Sequence, residues 1–248
     1  MIYVYAVTDR PAQPLPSQRG LRGQKPSKVV WRDIAAVVSA CDGAAPSASA
    51  DEVWRHEAVV ESLMSDCTVV PMRFGTLAPS RQHVGDILCQ KYRALAEDIE
   101  RVRGHVEIGM RFLTTIDVDA GADRPPACNG FQLSGTGPGS AYLRERVAKE
   151  RHSRERRRGK LRLVRGVYDR LAIHAHESRF DEGGDDRRGI AAAFLVPRNR
   201  IAAFREIVGA VADANPGVAL LCTGPWPPYS FVGTALYATN RSGTRHAS

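Results

Sequence analysis

The stretch Thr68–Leu113, TVVPMRFGTLAPSRQHVGDILCQKYRALAEDIERVRGHVEIGMRFL, decides how the chain is read. Thr68 to Leu77 is strand-like. Ser80 then caps a long helix whose apolar stripe, Val84, Ile87, Leu88, Leu95, Ile99 and Val102, recurs at helical spacing, and Gly104 closes it. His105 to Leu113 returns to strand patterning. Two strands flanking an amphipathic helix through connections this short are expected to lie parallel in one sheet, joined by a right-handed crossover. An N-terminal α+β domain ending near residue 115 is the simplest assembly.

Upstream, Ile2 to Val7 alternates aromatic and β-branched residues and predicts a strand, while Pro11 to Lys28 reads as a loop. Val29 to Cys41 is a second strand candidate. Ser49-Ala50-Asp51-Glu52 has the S-x-x-E form that satisfies free amides at a helix start, and Val53, His56, Val60 and Leu63 fall on one face of the helix that follows, to about Asp66. Downstream, residues 116–139 are rich in Gly, Pro, Asp and Ser and predict a linker. A long helical stretch from Ser140 to about Ala175 begins with Tyr142, Leu143 and Val147, loses large apolar residues across Lys149 to Lys160, and resumes with Leu161, Val164, Tyr168 and Leu171. Its middle is either a helix projecting into solvent, helped by Glu145–Lys149 and Glu150–Arg154 pairs, or an interruption at Gly159. Strand Ile190–Val196, helix Asn199–Ala214, an Asn215-Pro216-Gly217 turn and strand Val218–Cys222 complete the second unit. The expected class is α+β in two domains, each a small sheet packed with helices: residues 1–115, a linker 116–139, residues 140–237 with the long basic helix at their start, and a flexible tail 238–248.

Composition bounds the function. Of 248 residues, 43% are hydrophobic and 25% charged, which excludes collagen-like, wholly disordered and disulfide-scaffold classes. No apolar run approaches the ~20 residues of a membrane-spanning helix. The N-terminus carries no basic leader and no small-residue cleavage pattern, so a cytoplasmic location is expected. Five cysteines, an odd number with no CxxC pair, suit neither a disulfide framework nor a metal site. The net charge of +8 is local: eleven basic and three acidic residues lie between Arg144 and Arg165, and the remaining residues balance at 24 of each sign. Such a stripe is either a solvated helix face or a surface steered to an anionic partner.

Chemistry-bearing patterns are few. Ser134-Gly135-Thr136-Gly137-Pro138-Gly139 precedes a helix but lacks the GK[ST] ending of a phosphate loop. His174 and His176 stand two apart, poor geometry for sharing a metal on a helix. His56 lies on the apolar face of its helix. No nucleophile or metalloprotease motif occurs, so no catalytic constellation, cofactor or metal site is expected. Two segments stand out. Val70-Pro71-Met72-Arg73-Phe74-Gly75-Thr76 puts an arginine in an apolar strand, with Glu107 a candidate partner. Thr223-Gly224-Pro225-Trp226-Pro227-Pro228-Tyr229-Ser230-Phe231 stiffens three aromatics with three prolines, either as a clamp over a sheet end or as an exposed binding ridge.

These segments, with Tyr3-Val4-Tyr5, the Asp33–Ser39 strand, His56, Glu107 and Gly137-Pro138-Gly139 leading into Ala141-Tyr142-Leu143, make the chain resemble the GvpF/GvpL family of gas vesicle accessory proteins. Ala6 stands where that family commonly has Gly, and Met72 where it commonly has Val. The resemblance implies a non-enzymatic accessory or minor structural protein for assembling gas vesicles, the hollow protein shells that confer buoyancy. It also implies two α+β domains with a ferredoxin-like C-terminal one, cytoplasmic association with gas vesicles, and binding to the hydrophobic main shell subunit and other accessory proteins, with no membrane partner. On that basis Trp226, Tyr229 and Phe231, or else an open edge of either sheet, are expected to contact the shell subunit, and Arg144, Arg151, Arg156, Arg157 and Arg158 acidic partners. His56, Arg73, Phe74, Gly75, Glu107, Tyr142, Gly224 and Pro225 are expected to be structural. Nucleic acid is the competing ligand for the basic helix, disfavoured by the missing binding motif and by the lack of interleaved aromatics. An enzyme using Arg73, His56 and Glu107 would need a pocket converging on them.

Overall fold

The computed structural model describes residues 1–42 other than 12, 14 and 16, then residues 46–114, 138–182 and 189–233, with the backbone alone for residues 138–144. The readings of residues 116–137 as a linker, of Ser134–Gly137 as part of a glycine loop, and of residues 238–248 as a tail fall outside the described residues.

Strand β1 (Ile2–Thr8) is followed by the hairpin β2 (Ser27–Trp31) and β3 (Ile34–Ala40), helix α1 (Ala50–Met64), and the short strands β4 (Val69–Pro71) and β5 (Leu77–Ala78). The first sheet runs β2-β3-β1-β4, with β5 also paired to β1, and every pairing is antiparallel. β1 is central and buried on both faces. Period-two alternation sends the Tyr3 and Tyr5 rings toward His56 on α1, and Val4 toward Val84 and Leu88 of the next helix, so the sheet is covered on both sides. Val29–Cys41 is therefore two strands and not one. Arg32 and Asp33 form the turn, with Arg32 at φ 54°, a left-handed conformation that a Gly or Asn would have signalled.

Ser49 caps α1 as expected, its hydroxyl accepting from the Glu52 amide, and the helix buries His56, Val59, Val60, Leu63 and Met64. The long helix after Ser80 is two helices, α2 (Arg81–Gln90) and α3 (Tyr92–Val102), broken at Lys91, whose φ and ψ of −104° and 10° are not helical. The apolar stripe continues across the break, so periodicity alone does not reveal it.

Strand β6 (His105–Thr114) corrects the parallel-crossover expectation. It lies in a different sheet from β4, whose three residues offer little for a ten-residue strand to pair with. The second sheet runs β7-β8-β6-β9, built with α4 (Pro138–Ala172), β7 (Glu177–Asp181), β8 (Ile190–Pro197), α5 (Ile201–Asp213) and β9 (Val218–Trp226). β9 extends past the expected Cys222 to Trp226.

By internal contacts the chain divides into a first unit, Met1–Ile108 with Leu195–Ile201 and Gly224–Ser248, and a second, Gly109–Phe194 with Ala202–Thr223. The long basic helix does not open the second unit, because the end of β6 precedes it. Its last turns bury Val164, Val167, Tyr168 and Leu171, and the Tyr168 ring packs 5.5 Å from Phe194, which in turn lies 5.5 Å from Phe204. Residues 145–155 are exposed on every side, yet the helix runs unbroken through Gly159, with Glu150 paired to Arg146 at 3.9 Å and Arg154 at 3.7 Å.

Candidate functional site

The Gly–Pro–aromatic run belongs to the first unit from Gly224 onward and is held there by carboxylates. Gly224 has φ 104°, and a Cβ there would come within 2.8 Å of the Glu107 carbonyl oxygen, so only glycine fits. The Gly224–Pro225 peptide is cis. Glu107, on β6, accepts the Ser230 amide at 2.7 Å and the Ser230 hydroxyl at 2.8 Å, one on each oxygen. Asp98, on α3 and only 3% exposed, accepts the Gly233 amide at 2.8 Å and pairs with Arg101 at 2.6 Å. Arg101 also donates to the Phe231 carbonyl at 3.0 Å. Charge-assisted bonds of this kind are the strong ones, and here they fix the backbone at Ser230, Phe231 and Gly233.

A second anchor runs through His56, which is fully buried. Its Nδ1 lies 2.9 Å from the Tyr3 hydroxyl, and its Nε2 lies 3.0 Å from the Met72 carbonyl and 3.1 Å from the Tyr229 hydroxyl. A carbonyl can only accept, so the bonding assigns the proton to Nε2 and makes Nδ1 the acceptor from Tyr3. Tyr229 then accepts from His56 and donates to Glu57 at 3.0 Å, while Tyr3 accepts the Gly75 amide at 3.1 Å. Burial pushes His56 down to about 4 and keeps it neutral near pH 7, with the Met72 carbonyl opposing the shift. Burial likewise raises Glu57 and Tyr3. Phe74 closes the cluster, its ring 5.9 Å from His56 and 6.2 Å from Tyr3, and Gly75 turns the chain at φ 85°.

What this scaffold presents is a groove of about 370 Å³ lined by Val53, Trp54, Glu57, Glu107, Trp226 and Tyr229. Trp226 and Tyr229 are half-buried, and Trp54 is 68% exposed. Trp54 and Glu57 escape the sequence reading because they lie beside the apolar stripe of α1. The one signal available is a tryptophan on the polar flank of a capped helix. Two larger cavities lack this character. One of about 510 Å³, on the α4 flank, is lined mainly by arginines and glutamates, and one of about 450 Å³ is lined by Met1, Val4 and α2 residues.

The expected site residues separate accordingly. Phe231 is fully buried, so its ring is packing for the segment and not part of an exposed ridge. Arg73 is exposed beyond the end of β4 and not inside a strand, since the chain leaves the sheet after Met72 and turns at Phe74–Gly75. Glu107 holds Ser230. On α4, Arg151 and Arg158 share a face with Arg154, Arg162 and Arg165, while Arg156 and Arg157 lie across the helix, and Arg157 donates to the Glu182 carbonyl at 3.0 Å. The side chains of Tyr142 and Arg144 lie outside the described residues. No helix is long and apolar enough to cross a membrane, and no group of three or more metal-ligating side chains occurs among the described residues.

Residues 1–233 match the family described as gas vesicle synthesis protein GvpL/GvpF. The chain is 29% identical to gas vesicle protein L of Streptomyces sp. (strain CB03234), over 97% of each chain, and 24% identical to gas vesicle protein F1 of Halobacterium salinarum, over 98% of each. Among solved structures, GvpF from Microcystis aeruginosa superposes with a TM-score of 0.72 at 18% identity, covering 93% of this chain and 98% of that one. GvpF from Anabaena sp. PCC7120 gives 0.71 at 19%, covering 93% and 94%.

Proposed function

Since the chain belongs to the gas vesicle synthesis protein GvpL/GvpF family and has a role in gas vesicle formation, we propose that it is a non-enzymatic assembly factor that holds the hydrophobic main shell subunit through the Trp226–Tyr229 groove and engages other gas vesicle accessory proteins. The groove carries this reading: its aromatic faces are kept open by buried polar anchors instead of being folded away. A shell subunit with a large apolar face aggregates before it assembles, and a partner that covers that face transiently lowers the concentration of free sticky surface.

The exposed arginines of α4 support a second, salt-sensitive contact with acidic partners, and Arg151 and Arg158 on the shared face are its centre. The order β6-α4-β7-β8-α5-β9, with the sheet path β7-β8-β6-β9, supports a ferredoxin-like reading of the second sheet and its helices. The protein acts at gas vesicles in the cytoplasm.

The test is co-expression with the main shell subunit, followed by affinity capture at low and high salt. Subunit that stays soluble and co-purifies at high salt, and that is lost from a Trp226→Ala/Tyr229→Ala variant with an unchanged unfolding midpoint, is the expected result. Capture undiminished in that variant overturns the groove contact, and no capture at either salt overturns the client role. Tight binding of random duplex DNA by the free protein, lost at high salt, would assign α4 to nucleic acid instead.

A further inference from the structure

The groove is more specific than an apolar patch. Its lining holds three aromatic rings, Trp54, Trp226 and Tyr229, and two carboxylates, Glu57 and Glu107, but one aliphatic side chain, Val53. A surface built only to cover aliphatic client residues gains nothing from carboxylates, which must be desolvated when the groove is filled. Aromatic faces and carboxylates share one electrostatic sign: the ring quadrupole presents a negative face, and ionised carboxylates add to it. No cation is among the lining residues. Glu57 is half-buried and bonded to the Tyr229 hydroxyl, and it forms no ion pair among the described residues. Burial without a cation raises its proton affinity, as seen in its upward shift, and a cation docked beside it would reverse this.

We infer that the groove is an aromatic cage for a positively charged side chain, and that its occupant is an arginine of the partner segment, with the guanidinium stacked on the tryptophans and bonded to Glu57 and the flanking apolar residues laid on Trp54 and Val53. A planar, weakly hydrated guanidinium satisfies both demands at once, stacking on π faces while offering a fork of donors to a carboxylate. The volume of about 370 Å³ lies at the small end for ligand sites, and the exposure of Trp54 leaves the groove open along α1, as a side chain arriving from a macromolecule requires. The framework is fixed before the cation arrives: Tyr229 is tied to His56 and Glu57, and Ser230 to Glu107, so little ordering opposes binding. The identity of the partner rests on the client-contact reading above, whereas the preference for a cation does not.

The chain carries three tryptophans, and Trp31, on β2, is not among the groove's lining residues, so the indole N–H resonances of the whole protein contain an internal control. Titration with Nα-acetylarginine amide is expected to shift the Trp54 and Trp226 signals and leave Trp31 in place. The isosteric neutral Nα-acetylcitrulline amide is expected to bind about tenfold more weakly. Glu57→Gln should cost about the same factor, and Trp54→Leu, which keeps apolar area at an exposed position, should abolish the arginine-dependent shift. Equal response to the charged and neutral probes, no response at concentrations of about 50 mM, or full affinity in Trp54→Leu would each overturn the cage. The same variants in the shell-subunit capture assay separate the two readings. Arginine binding lost while client capture persists refutes the arginine as the partner's anchor and spares the client role. A cage that binds arginine in a protein that captures no client refutes the client role and spares the cage.

Discussion

The segment Gly224–Gly233 and the helical stretch 145–163 both put side chains into solvent, and they are held by opposite means. The first has almost no regular structure past Trp226 and is fixed from below: Asp98, Glu107 and His56 hold its amides and hydroxyls in part-buried hydrogen bonds. The second is regular structure with almost nothing beneath it, kept in place by helix propensity and ion pairs four residues apart. Surface presented by packing is rigid and shaped, and so suits recognition by geometry. Surface presented by an unpacked helix offers mainly charge, and its interactions fade with salt.

The comparison breaks most severely at Asp98. Asp98→Ala leaves the Gly233 amide without its acceptor and removes one partner of Arg101, and is expected to cost about 3 kcal/mol, read from urea unfolding, with loss of client capture. An unchanged midpoint would mean that the segment is not anchored there. Next comes acid. The folded pKa of His56, about 4, lies below its unfolded value of about 6.5, so the unfolded chain gains the proton first. Its stabilisation is whole above the unfolded value and is lost as pH falls toward the folded one. Between pH 7 and 5 this group should account for about 2 kcal/mol of lost stability, visible as a steeper decline in the wild type than in His56→Gln. On α4, Gly166→Ala adds a methyl where nothing lies within 4 Å, so it should raise stability by about 0.5–1 kcal/mol in the same assay. Smallest of all, Arg151→Ala should leave the unfolding midpoint within about 0.5 kcal/mol of wild type while weakening low-salt capture of acidic partners. A larger stability loss would show that the helix is packed after all.

Much of the architecture was legible locally. Ser49 and Ser80 cap the helices they were expected to cap, and the alternation in β1 and the apolar run of β8 mark real strands. The failures have two origins, one in local backbone geometry and one in distant parts of the chain. Arg32 makes a turn without a turn residue because β2 and β3 pair around it, and β6 leaves β4 for strands not yet made when a local window is read. Asp98 looks like an ordinary polar residue of an amphipathic helix until a backbone amide 135 residues later reaches it. The site was half legible. Trp226 and Tyr229 stand in a conspicuous run, whereas Trp54 and Glu57 gain meaning only through the neighbours that the fold supplies.

The bond between His56 and Tyr229 spans 173 residues. A chain made from its N-terminus displays Trp54 early and acquires the opposite wall of the groove only once Trp226 and Tyr229 have been added. Contacts of such long sequence separation also close late in folding. A nascent chain therefore lacks the assembled groove until that segment has been made. The groove is completed in one step by that segment, and a fragment truncated before residue 224 would keep Trp54, Glu57 and Glu107 but lose the wall made by Trp226 and Tyr229.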